Sequence, residues 1–295
     1  MNGPVVVGVD GSSSAKAAVR WAAAEADRQG VPLSVVHACL LVPARVPDPI
    51  AVPREYHEAV LEQGREWLAE AEEEARRVAP DLAVTTELAS GDAAEVLIGR
   101  SASARLVVLG SRGLGGFTGL FVGSIAVALA THGHSPVVVV RGTEGTTVGG
   151  TSTVGPVVVG ADGSPASSAA LAFAFEHAAS TGAELVALRT WSDVAVETGW
   201  LHGLSVDWDP IDAAERKLLE QQVAPHRAAH PDVEVRLVVA RDRPAHRLVA
   251  QSQDASLVVV GSRGRGGFRA LLLGSTSQAL IHHAACPVAV VPHQG

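Results

Sequence analysis

Two glycine-rich segments could hold an anion. Gly110-Ser111-Arg112-Gly113-Leu114-Gly115-Gly116 and Gly261-Ser262-Arg263-Gly264-Arg265-Gly266-Gly267 each place four glycines within seven residues, with one arginine in the first and two in the second. Without a Cβ in the way, main-chain N–H groups can approach a phosphate closely, and Arg112 or Arg263 could add a planar charged donor. Each segment runs on to a Gly-Ser pair, Gly123-Ser124 or Gly274-Ser275, which reads as a helix start. A helix start supplies further unpaired N–H groups, the favourable end of the dipole and a hydroxyl. The plain alternative is a turn followed by an ordinary serine cap. Two near-identical copies at one spacing count against it.

Several other chemistries fail on inspection. A P-loop needs Gly-Lys, and the chain has no such pair. The dinucleotide fingerprint should follow a first strand, where Gly8-Val9-Asp10 stands instead. His132-Gly133-His134 and His282-His283 read as histidines favoured at helix C-termini rather than as catalytic or metal pairs. The Glu70 to Arg77 charges read as a solvated helix face. No nucleophile–base or paired-carboxylate set can be assembled from local spacing. The loops thus offer groups for holding a nucleotide and none for activating water.

The elements that position these loops come as a tandem duplication. Pro4–Ser12, PVVVGVDGS, returns as Pro156–Ser164, PVVVGADGS, offset by 152. Leu106–Phe117 returns as Leu257–Phe268, offset by 151. Between the halves, the Gly/Thr-rich stretch 143–155 reads as a linker joining domains 1–142 and 156–295. In each half, short Val/Leu runs alternate with helical patterns. The first half predicts strands at Val5–Val9, Leu33–Ala38, Leu82–Leu88, Leu106–Leu109 and Pro136–Val140. Its helices are predicted to follow Ser13 and to span Arg54–Val78, Ala93–Ser103 and Ser124–His132. The second half predicts strands near Val157, Leu185, Val233, Leu257 and Val288. Uniformly apolar strands separated by helices imply parallel strands buried on both faces. The expected fold class is therefore α/β, two tandem doubly wound five-stranded parallel-sheet domains. Ligands in such a fold bind beyond the strand C-termini where the strand order reverses, which is where both loops of each half fall.

Composition narrows the setting. The net charge of −8 disfavours nucleic acid as a partner, and 47% apolar against 18% charged residues supplies ample core. Aromatic residues are 4%, so those cores must be built from Val, Ala and Leu. Trp21 and Trp67 are expected in the core, whereas Trp191, Trp200 and Trp208 fall in the long loop after the second strand of the second half, where they could cover the pocket or pack between domains. Cys39 and Cys286 read as buried inert thiols. Neither a membrane-length apolar run nor a signal-peptide pattern is present, so a cytoplasmic location is expected.

Gly110-x2-Gly113-x9-Gly123-Ser124 and Gly261-x2-Gly264-x9-Gly274-Ser275 match the G-x2-G-x9-G-[S/T] pattern of ATP-binding universal stress proteins, and Asp10 and Asp162 stand where that family places an adenosine-contacting aspartate. The chain resembles a tandem-domain universal stress protein of the mycobacterial or actinobacterial kind over nearly its whole length. The resemblance implies the adenine-nucleotide α-hydrolase-like fold and ATP as ligand, with any Mg²⁺ held mainly by the nucleotide. It implies that Gly8 and Asp10 line the adenosine pocket and that main-chain atoms of Ala38 meet adenine. Gly110, Arg112, Gly113, Gly115 and Gly116 would wrap ribose and phosphates, and Gly123, Ser124 and Ile125 would hold the phosphate tail. The second set would be Gly160, Asp162, Thr190, Gly261, Arg263, Gly264, Gly266, Gly267, Gly274, Ser275 and Thr276. Thr190-Trp191 replaces Ala38-Cys39, so the second pocket has a bulkier edge. The resemblance further implies association through the last strands, Val137–Val140 and Val288–Val291, within the chain or between two chains as a homodimer. The expected function is a nucleotide-sensing or nucleotide-sequestering stress-response protein with little or no turnover, read by an unidentified protein partner. Two alternatives stay open. One is an ATP pyrophosphatase or adenylyl transferase, which would need an SGGxDS loop where GVDGSS stands. The other is an interaction module that has lost nucleotide binding.

Overall fold

The computed structural model describes residues 3–40, 54–113, 123–141, 155–191, 207–264 and 273–292. The chain divides into two compact units, Met1–Gly150 and Thr151–Gly295. Most of the expected linker 143–155 lies outside the described residues.

The first unit runs β1 (Val5–Gly8), α1 (Ser13–Gln29), β2 (Leu33–Cys39), α2 (Arg54–Val78), β3 (Val84–Ser90), α3 (Ala93–Ser101), β4 (Leu106–Gly110), α4 (Ser124–His132) and β5 (Val137–Val140). The second runs β6 (Val157–Gly160), α5 (Pro165–Thr181), β7 (Leu185–Trp191), α6 (Asp209–Ala229), β8 (Val235–Arg241), α7 (Pro244–Gln251), β9 (Leu257–Gly261), α8 (Ser275–His283) and β10 (Val288–Val291). Strand order is β3-β2-β1-β4-β5 in the first unit and β8-β7-β6-β9-β10 in the second, with parallel pairing throughout each. Order reverses beside β1 and β6, which sets the switch point at the start of the Asp10 and Asp162 turns.

Valine and alanine build the cores. Val5, Val7, Val107, Val108 and Val138 are fully buried, and α1 turns Ala18, Val19, Ala22, Ala23 and Ala26 toward them. Phe175 is the only aromatic side chain among the fully buried described residues. Trp21 and Trp67 are half-buried, contrary to the expected core placement. The outer strands β3 and β8 also depart from uniform burial, with partly covered and exposed positions and none fully buried. β3 begins two residues later than expected because the Leu82 amide donates to the Ala79 carbonyl (3.2 Å), spending Leu82 on the turn after α2. Across α1 and α2, Lys16 pairs with Glu70 (2.8 Å) and Arg20 with Glu74 (2.6 Å), as befits a charged outer face. Both cysteines are buried free thiols.

Candidate nucleotide site

Each unit brings two loops together at the C-terminal edge of its sheet. In the first, β1 leaves the sheet after Val9, whose amide still donates to the Val36 carbonyl (2.9 Å). The chain then folds tightly: the Ser12 amide donates to Asp10 Oδ1 (3.1 Å), and Gly11 takes φ +83°, a conformation that suits glycine. Ser12 caps α1, its Oγ accepting from the Ala15 amide (3.2 Å). The second unit repeats the device. Ser164 donates its amide to Asp162 Oδ1 (2.8 Å), Gly163 has φ +81°, and Ser164 Oγ accepts from Ser167 (3.1 Å). One carboxylate oxygen of each aspartate therefore holds the turn.

The strand-four loop docks on this turn. Arg112 receives the Ser12 hydroxyl on its main-chain carbonyl (3.2 Å), and Ser14 Oγ bonds both the amide (3.3 Å) and the carbonyl of Arg112. In the second unit Ser164 Oγ reaches the Arg263 carbonyl at 3.5 Å, and alanine replaces Ser14 at position 166. The guanidinium ends of Arg112 and Arg263 are not paired with any described residue, and both residues are exposed. The serine contacts were not foreseen from sequence. Their signal was the matched serines of GVDGSS and GADGS beside each motif.

The glycines of the pattern have separable reasons. A Cβ on Gly110 would lie 2.5 Å from Ser14 Oγ, and one on Gly261 2.7 Å from the Ala166 main chain, so the first helix of each unit requires them. A Cβ on Gly113 would lie 2.5 Å from Asp10 Oδ2, and one on Gly264 2.6 Å from Asp162 Oδ2. A side chain at either position would therefore displace the aspartate carboxylate beneath it. Gly8 and Gly160 make room for core leucines, Leu97 and Leu109 in the first unit and Leu248 in the second. Gly123 differs: no described atom lies within 4 Å of where its Cβ would stand. Gly115, Gly116, Gly266 and Gly267 lie outside the described residues.

The helix starts supply the donors. The Gly123 amide bonds the Ser111 carbonyl (3.3 Å) and the Gly274 amide bonds Ser262 (2.8 Å), which draws α4 and α8 back to the glycine loops. Gly123 and Gly274 are the N-cap residues, so Ser124 and Ser275 begin the helices and do not cap them. Neither helix has a side-chain cap bond. By contrast α1, α3 and α5 are capped by Ser12, Asp92 and Ser164; α6 and α7 also lack a side-chain cap bond but carry in their first turn a proline, which has no N–H. Uncapped first-turn donors at the glycine loops are what an anion would satisfy. Ser124 and Ser275 are exposed there, with Ile125 and Thr276 partly so.

On the other side of each turn stands the end of β2 or β7. Ala38 and Thr190 are partly exposed at this edge. The Val9 carbonyl accepts from His37 Nδ1 (2.7 Å), and the Ala161 carbonyl accepts from Arg189 Nη1 (3.3 Å). Beyond Thr190, Trp191 donates from Nε1 to Asp212 (2.7 Å) and lies against Trp208, over which Arg241 stacks. Trp208 thus packs on the bulkier second edge, and Trp200 lies outside the described residues. The first unit instead sets Trp67 against Gly11 and edge-on to His37.

The histidine pairs remain apart from this edge: His132 ends α4, and the His134 amide bonds Ser101 Oγ (2.9 Å). Among the described residues no His, Cys, Asp and Glu cluster could hold a metal, and no helix is long and apolar enough to cross a membrane.

The universal stress protein family model matches residues 1–141 and 153–292. The chain belongs to the universal stress protein family. It is 39% identical to a universal stress protein of Mycolicibacterium smegmatis over 294 residues, covering 97% of this chain and 96% of that protein. A Mycobacterium tuberculosis universal stress protein is 37% identical, with 97% and 95% covered. Among solved structures, a universal stress protein from Archaeoglobus fulgidus superposes with a TM-score of 0.71 at 20% identity, covering 99% of this chain and 97% of that one. The family membership and the two α/β domains are thereby those expected from the motifs.

Proposed function

We propose that this universal stress protein binds ATP at the C-terminal edge of each sheet and senses or sequesters it with little or no turnover. One observation carries the reading: α4 and α8 begin without a side-chain cap bond and with no proline in the first turn, each beside a glycine loop, whereas α1, α3 and α5 are capped by a side chain. Gly123 adds support, because no described atom competes for the space beside it. In this reading Gly123, Ser124 and Ile125, with Gly274, Ser275 and Thr276, hold the phosphate tail. Asp10 and Asp162 stand on the ribose side, and Arg112 and Arg263 add charge. Ala38 and Thr190 present main-chain groups to the base. Any Mg²⁺ would be held mainly by the nucleotide, since the described residues hold no acidic cluster there.

The binding reading is favoured over catalysis because each aspartate carboxylate already accepts a turn amide and lies against a glycine of the second loop. That leaves it poorly disposed to serve as a general base. Domains 1–142 and 156–295 would each act as one nucleotide module in a cytoplasmic protein. The homodimer through β5 or β10 is supported by the resemblance.

The test is mass spectrometry of small molecules released from the purified, heat-denatured chain, followed by calorimetry with ATP. Release of ATP or measurable ATP binding upholds the proposal. No bound nucleotide and no heat of binding at millimolar ATP would leave an interaction module in its place.

A further inference from the structure

We infer that His37 and Arg189 are positioning residues that keep a main-chain donor open for the base, each by taking a carbonyl that the strand ladder would otherwise use. The inference rests on the nucleotide reading above and extends it to how the base is read.

The register shows the substitution. Gly8 is level with Val36, and the Val9 amide donates to the Val36 carbonyl (2.9 Å). In a parallel ladder the next bond would run from the Ala38 amide to the Val9 carbonyl. His37 Nδ1 occupies that carbonyl instead, at 2.7 Å. A carbonyl only accepts, so Nδ1 carries the hydrogen. In the second unit Gly160 is level with Leu188, the Ala161 amide donates to Leu188 (2.8 Å), and the Thr190 amide is next in line. Arg189 Nη1 takes the Ala161 carbonyl there, at 3.3 Å.

Alternation sends the freed groups into the gap. Ala38 shares the parity of Val36, whose carbonyl faces β1, whereas the Cys39 carbonyl faces the other way and accepts from the Gly91 amide (3.0 Å). The N–H and C=O of Ala38 therefore face the gap that β1 leaves as it turns at Asp10. No described residue bonds that amide across the gap. The same holds at Thr190, where the Trp191 carbonyl accepts from Asp242 on the opposite side (3.1 Å). An N–H beside a C=O suits adenine, which offers a ring-nitrogen acceptor next to an amino donor. Guanine presents the reverse pair.

Both positioning side chains are buried and braced. His37 is 7% exposed, its ring lies edge-on to Trp67 at 5.1 Å, and a Cβ on Gly64 would come within 2.8 Å of it. Arg189 is 3% exposed and pairs through Nε with Glu215 on α6. The two units thus hold the equivalent carbonyl with different chemistry at equivalent positions, 37 and 189.

Two measurements on the full chain test this. Amide hydrogen exchange of the wild-type protein should show Ala38 and Thr190 exchanging faster than Val36 and Leu188 without nucleotide, and slowing when ATP is added. Calorimetry with ATP and, separately, inorganic tripolyphosphate should show His37→Leu weakening ATP at one of two sites about tenfold, or about 1.4 kcal/mol. Tripolyphosphate binding should be unchanged. His37→Asn, which keeps a donor near Nδ1, should restore ATP affinity. Equal losses for ATP and tripolyphosphate, or no loss, would overturn the inference. If His37→Leu does not fold, exchange in the wild type still decides: an Ala38 amide as protected as Val36 without nucleotide refutes the open donor. If ATP binds and neither amide slows, the base is not read there. Fast apo exchange with no ATP binding would refute the nucleotide reading alone.

Discussion

Gly113→Ala should separate a phosphate cradle from an ordinary turn. The added Cβ would lie 2.5 Å from Asp10 Oδ2, with Asp10 Cγ at 3.7 Å and no other described atom within 4 Å. Ordinary contact begins near 3.4 Å, so the carboxylate must retreat by 3.4 − 2.5, about 0.9 Å. Gly113 does not have a positive φ, so alanine brings no backbone strain of its own. What is lost is the 3.1 Å bond from the Ser12 amide to Asp10 Oδ1. A hydrogen bond to a charged group contributes about 1.5–3 kcal/mol, and the partly exposed turn argues for the lower figure or less. The variant should therefore fold, with apo stability lowered by about 1 kcal/mol.

The effect on ATP should be larger. At a free concentration 100 times Kd, one site adds about 2.7 kcal/mol of stability, and two equal independent sites add about twice that. Gly113→Ala should remove about half the ATP-linked stabilisation measured by urea unfolding with and without nucleotide. Gly264→Ala should remove the other half, because the Asp162 geometry matches. An Asp10→Ala background isolates the cause, since contacting residues are not additive. There, the apo cost of Gly113→Ala should fall to nearly zero. Full ATP stabilisation in Gly113→Ala, or an equal apo cost with and without Asp10, would refute the argument.

Three further outcomes are expected. Calorimetry should count two ATP molecules per chain, and a single site at high nucleotide would mean that the Trp191–Trp208 packing closes the second pocket. Turnover should lie far below the roughly 10 per second of a median enzyme, and a rate near that value abolished by one substitution would restore the enzyme class. Burial, and secondarily the nearby His230 charge, holds His226 below the ordinary histidine value of 6.5. The unfolded chain then binds more protons below that value, so stability should be complete above it and fall as pH drops through it. His226→Gln should flatten that fall, and an unchanged pH profile would exclude the effect.

Much of the architecture was legible because local signals agreed. Pro53 and the cap pattern around Gly123-Ser124 bound α2 and α4 at the expected residues, Arg54–Val78 and Ser124–His132. The repeated motifs exposed the duplication without any structural knowledge. Boundaries slipped where a local turn bond competed, as at Leu82, whose apolar side chain reads as strand while its amide serves a turn. Trp67 misled for a related reason. Its spacing on α2 suits a core face, yet Gly11 draws the indole to the Asp10 turn. The aspartates and glycine loops could be found as motifs, but the crossing of Gly113 over Asp10 joins residues more than a hundred positions apart. His37 was not legible at all, since a lone histidine in an apolar strand reads as core. Its signal lies in the comparison of the halves: Arg189 stands at the same offset, and a buried arginine in LVALRTW demands a reason.

The differences between the halves say which features the fold needs and which the site needs. Both copies keep the aspartate turn, the glycine crossing and the uncapped helix start, although Ser14 has become Ala166 and His37 has become Arg189. The serine amide to aspartate bond that closes the turn is the same in both copies, while the side chains that brace the surrounding loop and strand end have changed. What they share is the spatial result: a carboxylate under a glycine, donors at a helix start, and a strand end held open. Such a shared result is expected when a common ligand, rather than common packing, constrains both units. Helix capping points the same way with a small energy, since serine or aspartate in place of a glycine N-cap stabilises by about a few tenths of a kcal/mol. Gly123 and Gly274 forgo that stabilisation in both copies, at the two helix starts that face the glycine loops.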